Sequence, residues 1–194
     1  MRGTGNETQS GGLNTLMAEL FVCKICGEPY FGGSAPDDCP FCGAPKAFIA
    51  NAREYAPLWG CELNEQDKTN LNETLALEVN ATAYYLKVAK ANKKYSRIER
   101  LYKQFARVEN EHADVAAKFL GVEVPALVGE EPKGSLEADL ARTRELEAHA
   151  VELYKGFAQR ASNAALKKLY AALVHAESGH HDFVDAELNG ACND

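Results

Sequence analysis

The chain has 194 residues, of which 46% are apolar and 25% are charged, so it can bury a core and is not disordered as a whole. Its formal net charge of −7 argues against a nucleic-acid-binding surface, which needs clustered positive charge. No run approaches the ~20 apolar residues that span a bilayer, and the N-terminus lacks the apolar stretch of a signal peptide. We therefore expect a cytoplasmic protein without a nucleic-acid or membrane partner.

The N-terminal part contains a cysteine-rich segment. Residues 1–19 are rich in Gly, Thr, Asn and Ser and are predicted to be a flexible tail. Residues 20–51 have too few apolar side chains for a core of their own, so we predict that a metal ion organises them. Their two Cys-x-x-Cys pairs are Cys23/Cys26 and Cys39/Cys42. Four thiolates bind either zinc or a single iron in a tetrahedron, and the spacing alone does not choose between them.

A long helical region follows. Residues 52–63 are predicted to be a linker in which Trp59 anchors the packing between the two parts, and residues 190–194 are a short tail. Residues 64–189 contain four segments with apolar residues at three- and four-residue spacing, typical of amphipathic helices. The predicted helices run from about Glu65 to Asn92, from Ser96 to just before Gly121, from Ser135 onward, and from Asn163 to about Leu188.

The connections between these segments predict how the helices are arranged. The first two helices are joined by a few residues, and so are the last two, which is typical of antiparallel hairpins. The middle connection, from Gly121 to Gly134, contains two prolines and three glycines. Such a linker can extend to roughly 46 Å, enough to cross a helix of ~37 Å. The sequence therefore predicts two hairpins joined by one long crossover.

The two predicted hairpins repeat the same chemistry. In each hairpin a glutamate is followed seven residues later by a tyrosine, and then by a Glu-x-x-His motif. In the first hairpin these residues are Glu78, Tyr85, Glu109 and His112. In the second hairpin they are Glu147, Tyr154, Glu177 and His180.

Each of these residues falls on a helix stripe that is otherwise largely apolar. Residues three or four apart share one face of a helix, so four carboxylates and two imidazoles are expected to point into one interior. Buried carboxylates need a partner, and no lysine or arginine interrupts the stripes. Two divalent cations would balance the four charges, and oxygen with imidazole ligands suits iron or manganese.

The two parts together resemble a known family. The cysteine segment resembles the short rubredoxin unit of rubrerythrins, and the helical region resembles the ferritin-like domain of the same family. The similarity covers about Phe21 to Leu188, in the order found in reverse rubrerythrins. It implies a mainly α protein: a ferritin-like four-helix bundle with one long crossover, behind a small rubredoxin-like metal-binding domain. It also implies iron at both sites, with zinc as the alternative at the four cysteines.

The resemblance assigns roles to the four glutamates. It makes Glu109 and Glu177 the carboxylates that bridge two iron ions, and it makes Glu78 and Glu147 terminal ligands. Rubrerythrins usually carry a further glutamate three positions after the third-helix ligand, where this chain has Ala150. This difference weakens the assignment to peroxide reduction and keeps oxygen reduction or oxidation of ferrous iron open.

The remaining roles concern histidines and tyrosines. By resemblance His112 and His180 bind one iron each, and Tyr85 and Tyr154 hydrogen-bond ligand carboxylates across the bundle. His181 is the rival of His180, since a four-residue step from Glu177 also stays on one face. His175 lies on another face and is expected to be a surface or packing residue, and Cys61 and Cys192 are expected to be reduced thiols.

The resemblance implies an activity and partners as well. The expected reaction is the reduction of hydrogen peroxide, for oxidative-stress defence, with electrons entering through the cysteine-bound iron. The expected electron source is an NAD(P)H-linked flavoprotein reductase or a rubredoxin, and the expected assembly is a homodimer or larger homo-oligomer in which electrons cross between subunits. Two alternatives are a ferroxidase or oxygen-reducing protein and a non-enzymatic zinc ribbon fused to a metal-stabilised bundle.

Overall fold

The computed structural model describes residues 18–94 and 96–190. Most of the expected N-terminal tail lies outside these residues, and so does Cys192. Cys61 lies within them as a half-buried free thiol. Among the described residues, no helix has both the length and the apolar character needed to cross a membrane.

The N-terminal unit is built on a small antiparallel sheet. Its strands are β1 (Glu19–Cys23), β2 (Pro29–Gly32) and β3 (Ile49–Asn51), with β1 in the centre of the order β2-β1-β3. Phe21 pairs with Tyr30 on one side, and Val22 pairs with Ala50 on the other. The sheet thereby places Cys23 at the end of its central strand, beside the first turn of the cysteine cluster.

Four long helices form the rest of the molecule. They are α1 (Glu65–Ala91), α2 (Ser96–Leu120), α3 (Leu136–Arg160) and α4 (Ala164–Leu188). Side chains cap three of the helix starts: Asn64 accepts from the Asp67 amide at 2.8 Å, Ser135 from that of Ala138 at 3.2 Å, and Asn163 from those of Ala165 and Leu166 at 3.0 and 3.1 Å. These bonds satisfy amides that a helix start otherwise leaves unpaired.

The end of α2 starts the crossover. Gly121 adopts a positive φ of 68°, and the amide of Val122 bonds the carbonyl of Ala117 at 3.1 Å, which closes the helix as a Schellman motif. The crossover then packs on α1: the ammonium of Lys87 donates to the carbonyl of Gly129 at 2.7 Å. A Cβ on Gly129 would lie 2.6 Å from the carbonyl oxygen of Asn80, so only glycine permits this approach.

The observed arrangement is the predicted one, two antiparallel hairpins joined by a crossover along the bundle. Helix α1 packs chiefly on α2 and α3 chiefly on α4, and the two hairpins meet mainly through α1 and α3. The expectation of a four-helix bundle behind a small cysteine unit is thus confirmed.

The apolar core has two parts at opposite ends of the bundle. One part, around Tyr85, Tyr102 and Phe105, lies at the end where α2 begins. The other part, around Leu71 and Leu169, continues into the N-terminal unit and includes its four cysteines. The N-terminal unit therefore shares a core with the bundle, which adds to the organising effect expected of a metal. The buried polar residues of the next section lie between the two apolar ends.

Candidate metal centres

The four cysteines form one buried cluster. Their sulfur atoms all lie within 4.8 Å of one another, and the pairs Cys23/Cys42 and Cys26/Cys39 are 3.7 and 3.8 Å apart. A tetrahedron with metal–sulfur bonds of about 2.3 Å has edges of about 3.8 Å, whereas a disulfide bond is about 2.05 Å long. The spacing therefore fits four thiolates around one metal ion.

Two tight turns bring these sulfurs together. The amide of Gly27 bonds the carbonyl of Cys23 at 2.8 Å, and the amide of Gly43 bonds that of Cys39 at 2.9 Å. Both glycines have positive φ, 86° and 68°, a conformation that side chains disfavour. Hydrogen bonds with the other three thiols lower the pKa of Cys39. For Cys42, hydrogen bonds with its three neighbouring thiols raise the pKa. A metal cation would stabilise the charged form of all four.

The bundle holds a second cluster of six side chains. They are the two Glu-x-x-His motifs and the two further glutamates of the predicted repeat. One group consists of Glu78, Glu109, His112 and Glu177, and the other of Glu109, Glu147, Glu177 and His180. Within each group the ligand atoms lie within 4.8 Å of one another. The structure thus brings together all six side chains that the repeat selected.

Glu109 and Glu177 belong to both groups because each turns one oxygen toward each histidine. Around Nδ1 of His112, oxygens of Glu109 and Glu177 lie at 3.0 and 2.9 Å. Around Nδ1 of His180, their other oxygens lie at 3.1 and 3.2 Å. These two carboxylates therefore span two adjacent positions inside the bundle.

Glu78 and Glu147 each approach a single histidine. Glu78 lies 3.7 Å from Nδ1 of His112, and Glu147 lies 3.6 Å from Nδ1 of His180. A tyrosine from the opposite hairpin orients each of them. The hydroxyl of Tyr85 donates to Glu147 at 2.5 Å, and the hydroxyl of Tyr154 donates to Glu78.

The donor atoms of the cluster fit a pair of metal ions. Both oxygens of Glu109, one oxygen of Glu177 and Nδ1 of His112 are buried without a hydrogen bond of acceptable geometry among the described residues. Unpaired buried acceptors are costly, and here several of them converge on common points. Divalent cations at those points would satisfy them, and the mixture of carboxylate and imidazole suits iron.

The pKa shifts support the same interpretation. Burial and the neighbouring carboxylates raise the pKa of Glu78 and of Glu147. Burial alone would lower the pKa of His112 and His180, but the surrounding carboxylates outweigh it and raise both. Without metal the cluster therefore retains protons, and binding of two divalent cations would release them.

A direct hydrogen bond connects the two clusters. Because Nδ1 of His112 faces the carboxylates, Nε2 carries the proton and donates to the backbone carbonyl of Cys42 at 2.9 Å. The imidazole is entirely buried, and this bond fixes both its tautomer and its orientation. One cysteine of the first cluster is thus one hydrogen bond from one histidine of the second, within a single chain.

Further contacts hold the two units in this position. The ammonium of Lys118 donates to the carbonyl of Cys26 at 2.9 Å and lies 5.1 Å from the centre of the Trp59 ring, which agrees with the predicted anchoring role of that tryptophan. A Cβ on Gly43 would lie 2.9 Å from the Cβ of Ala176, so the second cysteine turn rests directly on α4.

The structure also places the residues about which the sequence was ambiguous. His180 lies in the cluster, whereas His181 is part-exposed and faces Asp182 at 3.4 Å. Ala150 is buried, and the acidic and histidine side chains near it in sequence, Glu145, His149 and Glu152, are exposed. None of the three therefore replaces the glutamate that is absent at position 150.

Sequence reasoning missed several residues at the site. The Cys42 carbonyl carried no signal, because a backbone group looks the same at every position. His175, expected at the surface or in packing, is half-exposed but also bonds Asp38 of the N-terminal unit at 2.8 Å. Tyr102 and Thr143 bond across the bundle at 3.0 Å, and the repeat could have identified them.

Comparisons with known proteins agree with this geometry. The sequence-family model of the ferritin-like domain matches residues 66–190. The sequence-family model of the rubredoxin-like domain of rubrerythrin matches residues 21–49. Reverse rubrerythrin-1 from Clostridium acetobutylicum is 29% identical over 116 residues, which make up 55% of this chain and 64% of that relative. The match thus spans somewhat less than two thirds of the relative's length. No solved structure matches the chain.

The donor sets of this protein are those of a di-iron centre and of a four-cysteine iron site. The cysteine unit precedes the bundle, which is the reversed order that the name of the Clostridium relative describes. The chain belongs to the rubrerythrin family, in the reversed arrangement of its two domains.

Proposed function

We propose that this protein reduces hydrogen peroxide to water in the bundle, with electrons delivered through the four-cysteine site. The overall reaction consumes one peroxide, two electrons and two protons and yields two waters. When bound, two iron ions supply the two electrons and polarise the oxygen–oxygen bond. The chain's own residues hold the ions, exclude water, and position the protons and the electron path.

The assignment of ligands follows the contacts of each carboxylate. Glu109 and Glu177 would each contribute to both ions, since each presents its two oxygens to different histidines. Glu78 and Glu147 would be terminal ligands, since each lies near a single histidine. The cysteine pairs would hold the third iron.

The hydrogen bond between His112 and the Cys42 carbonyl is the observation that carries the proposal. A cluster that only stabilised the fold would not need a bonded path to a second metal site. Here the path consists of the Cys42 backbone, one hydrogen bond and the His112 ring, all of it buried. Electrons can therefore pass between the sites within one chain, whether or not they also cross between subunits.

The two tyrosines keep their protons at the site. Burial, together with the charge of the carboxylate that each one contacts, raises the pKa of Tyr85 and of Tyr154. Both hydroxyls therefore stay protonated and donate to Glu147 and Glu78. This position lets them orient the terminal ligands and pass a proton to a departing oxygen.

A stopped-flow experiment tests the proposal. The fully reduced, iron-loaded protein is mixed anaerobically with hydrogen peroxide, and the visible absorption of both sites is followed. We expect the di-iron centre to oxidise first, and the cysteine site to follow as it returns electrons. Glu109→Ala should remove the fast phase, whereas Glu152→Ala, an exposed glutamate on α3, should not alter it. Oxidation of wild type no faster than of Glu109→Ala would sink the proposal.

One observation favours a second candidate, reduction of oxygen or oxidation of ferrous iron. Ala150 occupies the position of the further glutamate that rubrerythrins use to shift an iron during turnover, and no neighbouring acid substitutes for it. Oxygen in place of peroxide in the same experiment separates the two reactions. Iron bound beyond the fixed sites would indicate iron handling, and a colourless protein with zinc at the cysteines would indicate a purely structural role.

The external electron source is part of the proposal as well. An NAD(P)H-linked flavoprotein or a separate rubredoxin would reduce the cysteine site. NADH-dependent peroxide consumption reconstituted with such a reductase, and lost in Cys42→Ser, is the expected result. Retention of full NADH-dependent turnover by Cys42→Ser would exclude this site as the electron entry.

A further inference from the structure

A cavity of 410 Å³ lies between α1, α2 and the crossover. We name it the α1–α2 pocket. Its apolar wall consists of Leu86, Ala106 and Leu127, and its polar lining consists of Thr82, Lys103, Arg107, Asn110 and Glu111. Leu86 and Leu127 are 43% and 44% exposed, so the pocket is open to solvent.

Thr82 is the buried polar residue of this lining. It is 2% exposed, and its hydroxyl has no hydrogen-bond partner among the described residues. An unpaired buried hydroxyl costs free energy, because it has lost its hydrogen bonds to water and has gained none within the protein. A ligand in the pocket would supply the missing partner.

The position of Thr82 relates the pocket to the carboxylate cluster. On α1, Thr82 lies one turn after Glu78 and one turn before Tyr85, on the face that carries both. On α2, the small buried side chain of Ala106 lies one turn before Glu109. Thr82 and Ala106 therefore line the α1–α2 pocket one helical turn from candidate iron ligands on their own helices.

The size and lining of the pocket indicate a ligand larger than hydrogen peroxide. Hydrogen peroxide needs little more room than a water molecule, about 30 Å³, whereas cavities of ~300–1,000 Å³ hold organic molecules. Leu86 and Leu127 offer apolar surface near the opening, and the Thr82 hydroxyl offers a polar contact at the buried end. A molecule with an apolar group and a polar end matches this order.

We propose that the α1–α2 pocket binds an alkyl hydroperoxide, with its apolar group against Leu86 and Leu127 and its peroxide end at the Thr82 hydroxyl. The inference rests on the proposed function and extends its substrate class. In the reaction the oxygen–oxygen bond of ROOH breaks, and two electrons and two protons convert it to ROH and water. The electrons come from the two reduced iron ions, which are oxidised, and the protons come from solvent.

The opposite hairpin provides a control surface. A smaller cavity of 240 Å³ is lined by Ala148, Val151, Ser178 and three charged or histidine side chains of α3 and α4. In the repeat, Val151 takes the place of Thr82, since it lies four residues after Glu147. The second cavity therefore offers neither the buried hydroxyl nor the leucine walls, and filling it should not affect an alkyl hydroperoxide.

Binding is tested first, without turnover. The probe is 2-phenylpropan-2-ol, the alcohol formed from cumene hydroperoxide, titrated calorimetrically into the iron-loaded, oxidised protein. Leu86→Trp and Leu127→Trp, two exposed positions on different elements, should abolish measurable binding. Thr82→Val should weaken binding by roughly 3- to 10-fold, as expected for one lost hydrogen bond. Ala148→Trp, in the opposite cavity, should bind like wild type.

Kinetics then test the substrate class. The reduced protein is mixed with cumene hydroperoxide or with hydrogen peroxide, and oxidation of the di-iron centre is followed for each. Both tryptophan variants of the pocket should slow the reaction with cumene hydroperoxide by at least about tenfold, a usual effect of blocking an apolar pocket. The reaction with hydrogen peroxide should change much less, because the smaller molecule passes a narrowed pocket.

The outcomes separate this inference from the proposed function. If the alcohol binds both tryptophan variants as tightly as wild type, the pocket assignment is wrong even when hydrogen peroxide oxidises the protein quickly. An equal slowing of both peroxides would also overturn it, because it indicates general damage to the site. If neither peroxide oxidises wild type, the proposed function fails, while alcohol binding that is lost only in the pocket variants still supports a ligand site there.

Discussion

The two hairpins of the bundle contribute equivalent metal ligands but surround them differently. In the first hairpin the imidazole of His112 is fully buried and bonded to the Cys42 carbonyl. In the second the imidazole of His180 remains 14% exposed and lies 4.8 Å from the ring of Phe105. The six candidate ligands therefore follow the two-fold repeat, whereas the residues that surround the two histidines do not.

This difference separates two requirements of a redox centre. A pair of identical ions needs equivalent ligands, and the repeat supplies two glutamates and one histidine from each hairpin. Electron supply and substrate access need different neighbours, so the surroundings of the two histidines can differ. The imidazole of His112 adjoins the cysteine unit, and the imidazole of His180 is the more exposed of the two.

The largest expected effect comes from breaking the shared ligands. Glu109→Ala and Glu177→Ala each remove a carboxylate that contacts both histidines, so each should lower the iron affinity and the peroxide rate by at least ~100-fold. The repeat predicts losses of similar size for the two variants. Metal analysis and stopped-flow kinetics measure them. A variant that loses only one tenth of the wild-type rate would show that its carboxylate is not shared.

The second prediction concerns pH and the metal-free protein. Glu78 and Glu147 have raised pKa values in the folded state, so folding takes up protons above the ordinary carboxylate pKa of 4.5. The raised pKa values of His112 and His180 act in the same direction above 6.5. The stabilisation from these groups is complete at lower pH and is lost as pH rises.

We therefore expect the metal-free protein to lose about 1.4 kcal/mol per pH unit for each extra proton bound, as pH rises above about 5. Glu177 has a lowered pKa and the opposite sign, but its contribution changes below 4.5. The iron-loaded protein should show the reverse trend, since protons compete with metal. Urea unfolding of both forms at several pH values measures the slopes, and parallel slopes would contradict the ligand assignment.

The third prediction compares the two tyrosines. Tyr85→Phe and Tyr154→Phe each remove a hydrogen bond to a terminal glutamate and leave the ring in place. Each should weaken iron binding by roughly 10- to 100-fold, the usual effect of an outer hydrogen bond on a metal site. Competition with a chelator measures this affinity. A large effect in one variant alone would show that the different surroundings of the two histidines also change the iron affinity of the ligands.

The smallest expected effect tests the contact between the cysteine unit and α4. His175→Ala removes the bond to Asp38, which is solvent-exposed and should contribute at most about 1 kcal/mol. His181→Ala, whose partner is the adjacent Asp182, is the matched control. Urea unfolding should show a small loss for His175→Ala and none for His181→Ala. Equal losses would indicate that the bond does not stabilise the docking.

The sequence predicted the helices and the six polar ligands because both are periodic. Glu78 and Glu147 could be paired by their spacing from later motifs, and His180 could be preferred over His181 by matching His112. These features depend on residues close together in the chain or on repeated intervals.

The rest depended on contacts between distant segments. The bond from His112 to Cys42 involves a backbone carbonyl 70 residues away, and no residue type marks it. Thr82 lies four residues after Glu78 in the sequence, but a pocket beside it exists only because the crossover places Leu127 near Leu86. Ala106 and Leu127 looked like ordinary apolar residues until the packing of the helices was known.

The contact between Gly43 and Ala176 bears on how fast electrons can be supplied. No side chain fits between the second cysteine turn and α4, and the two units share one apolar core. Their separation is therefore fixed by close packing. An electron that crosses between the sites does not wait for a domain to swing into place, so the transfer rate should be independent of solvent viscosity.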